Sequence, residues 1–260
     1  MRPVPVLMYH HVNPNKGDLV TVTPEVFEGQ MRCLRDGGYR SLTLDDLVAH
    51  LRGGAIPGKS VAVTFDDGWL DNYRFAFPVL RKYGIPATVF LVTDRVAQAS
   101  RGRPETDPSV PTHRESMELL RAGEQRRVVL NWDHVREMTA CGLVAFHSHT
   151  KTHARCDTLS VDGLLGELRG SKEAIEERTG RQCRYICWPY GRTSSEAVET
   201  AKEVGYHAAF TAKPGVVEAD DDPFDIPRIV VKDDVPWFAR RITIYTSGNL
   251  SRLYLAAKKK

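Results

Sequence analysis

The chain has 260 residues, 42% of them hydrophobic and 27% charged, which is ordinary for a globular protein and enough to bury one large core. Its 36 basic and 33 acidic residues are too evenly balanced to suggest nucleic acid as a partner, and Lys258-Lys259-Lys260 reads as a solvated tail. No apolar run approaches the ~20 residues needed to span a bilayer, so the chain as it stands reads as cytoplasmic, or as exported if an export signal has been trimmed from it. The five cysteines are odd in number and form no CxxC pair, so free thiols are expected.

Taken in order, the pattern predicts a strand over Val4–Tyr9 and a helix over Pro24–Gly37 opened by Thr23-Pro24. A helix over Leu44–Leu51 and a strand over Ser60–Phe65 follow. A helix over Asp71–Tyr83 stops at Gly84, and a strand covers Ala87–Val92. Residues 97–127, rich in Arg, Glu and Pro, break the rhythm and read as a surface insertion, helical over Glu115–Ala122, serving as a loop or as a lid over a site. Beyond it come a helix over Trp132–Ala140 capped by Asn131, a strand over Leu143–Phe146 and a helix over Val161–Thr179. Then follow a strand over Arg184–Cys187, a helix over Ser194–Val204 and strands over Ala208–Thr211 and Ile226–Val231. Strands alternating with helices give an α/β fold with a parallel sheet, open or closed into a barrel, and 1–260 reads as one domain.

The chemistry clusters just after strands, where parallel α/β folds place their sites. Val61–Phe65 runs into Asp66-Asp67-Gly68. Neighbouring carboxylates at a strand end point different ways, so one can bind a cation while the other moves a proton. The strand before Phe146 runs into His147, His149 and His153. Imidazole is the commonest side-chain ligand for zinc-like ions. One helical turn or a tight bend would bring His149 and His153 together, whereas extended backbone would put His147 and His149 on one face; the Thr150 hydroxyl could orient a ligand. Arg184–Cys187 enters the bend Trp188-Pro189-Tyr190-Gly191, whose aromatics could wall a sugar ring and whose backbone N–H could hold an oxyanion. The first strand ends in His10-His11, and Arg228 on a late strand would lower the pKa of Asp66 and orient it if they met.

Thr64-Phe65-Asp66-Asp67-Gly68, His149-Thr150-Lys151-Thr152-His153 and Cys187-Trp188-Pro189-Tyr190-Gly191 together resemble the three leading motifs of the polysaccharide deacetylase family, the NodB-homology domain of carbohydrate esterase family 4. The opening Met8-Tyr9-His10-His11 resembles the subgroup of poly-β-1,6-N-acetylglucosamine N-deacetylases. The resemblance implies a distorted (β/α) barrel of about seven parallel strands and hydrolysis of an N-acetyl group on a carbohydrate. It also implies one divalent ion, foremost Zn²⁺, with Co²⁺, Ni²⁺ or Fe²⁺ as alternatives. By the same resemblance Asp67, His149 and His153 hold the ion, Asp66 is the base and the backbone N–H of Tyr190 holds the oxyanion. Two departures follow. Cys187 stands where many members have an arginine, for which Arg228 is the expected substitute. The family's late Leu-x-His is missing, so His10, or else His11, is expected as the general acid. The competing readings are O-acetyl ester hydrolysis, amide hydrolysis on a non-sugar, and a glycan-binding module with a degenerate site.

Overall fold

The structure is a computed structural model that describes residues 2–102 and 109–258. Its strands are β1 (Val6–Tyr9), β2 (His11–Val12), β3 (Thr21–Val22), β4 (Arg40–Leu42), β5 (Ser60–Phe65), β6 (Ala87–Leu91), β7 (Val144–Ser148), β8 (Tyr185–Cys187), β9 (Ala208–Pro214) and β10 (Ile226–Val230). Its α-helices are α1 (Pro24–Asp36), α2 (Leu44–Leu51), α3 (Phe77–Tyr83), α4 (Thr93–Ala99), α5 (His113–Arg121), α6 (Trp132–Ala140), α7 (Val161–Thr179), α8 (Ser195–Val204), α9 (Val235–Tyr245) and α10 (Gly248–Lys258).

Seven parallel strands close on themselves in the order β1-β5-β6-β7-β8-β9-β10, with β10 returning to pair with β1. The fold is therefore the distorted (β/α) barrel expected from the resemblance. Ala62 pairs with Val6 on one side and with Leu42 on the other, so the short β4 lies along the first half of β5 and β6 takes over that edge at Thr64. Strands buried on both faces explain why Ser60–Phe65 carries no polar alternation. Alternate residues instead divide between two cores. Ala62, Phe90, Tyr185, Cys187 and Phe210 join the inner cluster, which α2 closes from one end through Leu44, Leu47 and Leu51. Val61, Val63, Val89, Leu91 and Ile186 face the surrounding helices.

Helix ends follow local chemistry. Thr43 and Asn131 cap α2 and α6 through capping boxes, and Gly180 takes the left-handed conformation that ends α7. The continuous helix expected over Asp71–Tyr83 is instead a π-helical turn over Asn72–Ala76 that runs into α3. Pro78 has no N–H to give the carbonyl of Arg74, and the Phe77 N–H reaches Asn72 O, five residues back. Within 97–127, α5 begins at His113, two residues before the expected start, and residues 103–108 lie outside the described residues. Lys258 ends α10, and Lys259 and Lys260 also lie outside them.

Candidate active site

Parallel strands deliver their following residues to one end of the barrel. Asp66 and Asp67 follow β5, His149 and His153 follow β7, the Trp188–Gly191 bend follows β8 and His10 follows β1. Asp67 and Gly68 both take positive φ, 70° and 72°, so the chain turns sharply and the two carboxylates diverge. Asp66 is 2% exposed and meets Arg228, itself 1% exposed, in a two-pronged ion pair with both contacts at 2.7 Å. Burial alone would raise the pKa of Asp66, but the guanidinium outweighs it and holds the carboxyl down at about 2. Arg228 is fixed in turn, donating to Thr211 O at 2.9 Å, to Cys187 Sγ at 2.9 Å and to Thr64 Oγ1 at 3.3 Å.

Asp67 faces the imidazoles. Its Oδ1 lies 3.3 Å from His153 Nε2, and one ligand atom from each of Asp67, His149 and His153 falls within 4.8 Å of the others. His149 and His153 meet through a tight bend rather than a helical turn. Thr150 and His153 take φ of 64° and 68°, and Thr150 Oγ1 accepts from the His153 N–H at 3.1 Å, so the threonine hydroxyl braces the bend. Nδ1 of His149 is 2.7 Å from Cys187 O, so it carries the proton and leaves Nε2 with a lone pair. Burial lowers the pKa of both rings, that of His153 to about 3, so they stand neutral as ligands must. A buried carboxylate with two neutral imidazoles suits a divalent ion such as zinc.

His10 Nε2 lies 3.8 Å from Asp66 Oδ2 with its side chain 24% exposed. His11 turns away, with Nδ1 2.6 Å from Asp71 Oδ2. Tyr190 sits at the kink of its bend with φ 60°; the residue is 62% exposed and its ring lies 4.7 Å from that of His153. Trp188 is 1% exposed, so it belongs to the core and cannot wall a sugar as its spacing suggested. His147 does not join the Asp67–His149–His153 group; its ring packs on Tyr185 inside the barrel. It also lines an open cleft of about 670 Å³ that includes Asp45 and Arg184 and none of the carboxylates and imidazoles above.

Two contacts to Asp67 had no sequence signal of their own. Trp69 Nε1 donates to Oδ2 at 3.2 Å, and Arg95 Nη1, from the helix after β6, donates to Oδ1 at 3.1 Å. The strand-end rule pointed to the neighbourhood of Arg95, but nothing in its composition marked the residue.

The family profile described as polysaccharide deacetylase matches residues 53–209, which take in both carboxylates, both imidazoles and the Tyr190 bend. A poly-β-1,6-N-acetyl-D-glucosamine N-deacetylase of Staphylococcus epidermidis is 28% identical over 222 residues, covering 82% of this chain and 69% of the relative. The crystal structure of a polysaccharide deacetylase from Bacillus cereus superposes with a TM-score of 0.71 at 30% identity, over 92% of this chain and 69% of that one. IcaB from Ammonifex degensii superposes with a TM-score of 0.74 at 27% identity, over 93% of this chain and 97% of that one. With a profile spanning more than half its length and these relatives matching along nearly all of it, the chain belongs to the polysaccharide deacetylase family.

Proposed function

We propose that the chain removes N-acetyl groups from a carbohydrate, a polysaccharide or a glycolipid-linked N-acetylhexosamine, and releases acetate. The observation that carries this reading is the division of labour between adjacent carboxylates. Asp66 is clamped by Arg228, and Asp67 faces two neutral imidazoles. The poly-N-acetylglucosamine deacetylase among the relatives favours an amino sugar as the substrate.

Asp67, His149 and His153 would hold one divalent ion, zinc foremost. When bound, such an ion polarises the acetyl carbonyl and makes water acidic enough for so weak a base as Asp66 to deprotonate. Asp66 accepts the water's proton, and Arg228 keeps that carboxylate ionised and fixed in direction. His10, beside Asp66 and open to solvent, gives a proton to the departing amine. The N–H of Tyr190, which sits at the kink after β8, donates to the oxyanion of the intermediate. We read 1–260 as one such domain. Among the described residues no helix is long and apolar enough to cross a membrane.

The test is acetate release by the zinc-loaded chain from N-acetylhexosamine oligomers and from acetylated xylan, run in parallel. Release from the first and not the second supports the reading. Release from xylan alone would reassign the chain to ester hydrolysis, and binding to either glycan without turnover would make it a binding module.

A further inference from the structure

A second row of titratable side chains lies beside the first and has no part in the steps above. His11 Nδ1 is 2.6 Å from Asp71 Oδ2, and His11 Nε2 is 3.1 Å from Nδ1 of His113, the first residue of α5. Asp71 is held from several sides. Its Oδ2 also accepts from Asn13 Nδ2 at 3.1 Å, and its Oδ1 accepts from Asn72 Nδ2 at 3.0 Å and from the Val12 N–H at 3.4 Å. His11 is 1% exposed and stacks on Trp69 at 4.3 Å, the same indole whose N–H holds Asp67. His113 is only partly buried and meets the Trp69 ring edge-on at 6.1 Å. Trp69 therefore touches both this row and the proposed metal ligand.

A carboxylate only accepts hydrogen bonds, so His11 Nδ1 carries a proton. The other end of the ring has two states. With His11 neutral, His113 Nδ1 donates to His11 Nε2, and the outer nitrogen of His113 is a bare lone pair. With His11 protonated, its Nε2 donates to His113 Nδ1, and His113 carries its own proton on the outer Nε2. A proton entering or leaving at His113 Nε2 thus moves the charge onto or off the buried His11–Asp71 pair in two short hops.

We propose that Asp71–His11–His113 is a proton relay serving the mouth of the deacetylation site, with His113 as its outer end and a second proton donor to the departing amine alongside His10. In the donating step, His11 passes its Nε2 proton to His113 Nδ1. His113 releases its Nε2 proton to the amide nitrogen as the C–N bond breaks and its electron pair moves to nitrogen. The relay is left neutral and reloads from solvent.

The surrounding charges favour this order. Burial opposes protonation of His11, but Asp71 outweighs it, and Asp67 and Asp18 act in the same sense, so its pKa is raised. Burial and the charge of His11 lower the pKa of His113; His10 adds to that, and Asp18 and Asp67 oppose it. The position of His113 at the start of α5 likewise disfavours an imidazolium there. The stored proton belongs on His11, and the outer ring stays neutral.

The proposal rests on the deacetylase reading, so one arm of its test needs no substrate. In the ¹⁵N-labelled, zinc-loaded chain, His113 is expected to switch from an Nδ1–H to an Nε2–H tautomer in the same transition that protonates His11. Independent transitions, or a His113 tautomer that stays fixed while His11 titrates, would overturn the relay whatever glycan is cleaved. In the second arm, His113→Gln should retain its zinc and slow acetate release about tenfold, less than the roughly 10²–10⁴ expected on removing His10, the principal donor. The pH profile should lose the ionisation assigned to His11. An unchanged rate, or a slower rate with an unchanged pH profile, overturns the proposal; if the variant does not fold, the tautomer measurement on the unaltered chain decides.

Discussion

Arg228→Met tests the buried ion pair on which the site is built. Methionine fills much of the same volume but leaves Asp66 a buried carboxylate without its cation. Breaking such a pair from one side costs about 3–5 kcal/mol, a large share of the roughly 5–15 kcal/mol that holds a typical domain folded. The pH dependence carries a sign that simple loss of packing does not. In the native chain Asp66 is held at about 2, below its ordinary value of 3.8. Its pairing therefore contributes roughly 2 kcal/mol above pH 4, which is lost as pH falls through about 2. In Arg228→Met burial acts without the guanidinium, so the folded pKa of Asp66 rises above the unfolded one. The variant then regains stability as pH falls through that raised value. Urea unfolding in chelator at pH 8 and pH 5 should show a large deficit at pH 8 that narrows at pH 5. Asp66→Leu with Arg228→Met should recover about 2 kcal/mol or more of the single-variant loss through coupling of neighbouring groups. Full recovery is not expected, because the Thr211 carbonyl loses its donor in both variants. A deficit below about 1 kcal/mol that does not change with pH would refute the argument.

His149→Ala and His153→Ala should each lose bound zinc on metal analysis while keeping the barrel's circular dichroism; full occupancy in both would remove them from the metal site. His10→Ala should keep the metal and slow acetate release by roughly 10²–10⁴-fold, an effect read as kcat by steady-state assay, with normal turnover as the contrary result. His147 is buried, its Nδ1 has no hydrogen-bond partner among the described residues, and burial pushes its pKa down to about 3. Its neutral form favours folding fully above the unfolded pKa of 6.5, and that contribution falls away as pH drops towards 3. At pH 5 the loss is about 2 kcal/mol, which His147→Phe should remove. Thermal melts at pH 8 and pH 5 would show it, and equal acid sensitivity in both proteins would count against it.

The barrel strands were legible because their burial leaves long apolar runs, as in Val61-Ala62-Val63 and Ala208-Ala209-Phe210, bounded by polar or glycine breaks. The three-residue β4 was not, since Arg40-Ser41-Leu42 is too short and too polar to carry a period. Nor were α9 and α10, which follow the last strand and are held by packing on α1 and on each other. Asp66, Asp67, His149 and His153 stood out because rare residue types sit next to strand ends. Trp69, Arg95 and His113 did not, because each matters through a partner distant in space or masked by ordinary composition. Trp69 looks like core, Arg95 like a surface helix residue, and His113 lies in a segment without periodicity. That segment was read as loop or lid, yet its described part supplies a side chain 3.1 Å from His11.

The division of labour between the two adjacent carboxylates is the centre of the account, and a paired substitution tests it most directly. Asp66→Asn and Asp67→Asn would each be measured for bound zinc and for acetate release from N-acetylhexosamine oligomers. The expected result is that Asp66→Asn keeps its zinc and loses turnover by about 10²–10⁴-fold, because an amide cannot accept the water's proton, while Asp67→Asn loses the zinc itself. Near-normal kcat in Asp66→Asn, or full zinc occupancy in Asp67→Asn, would contradict it.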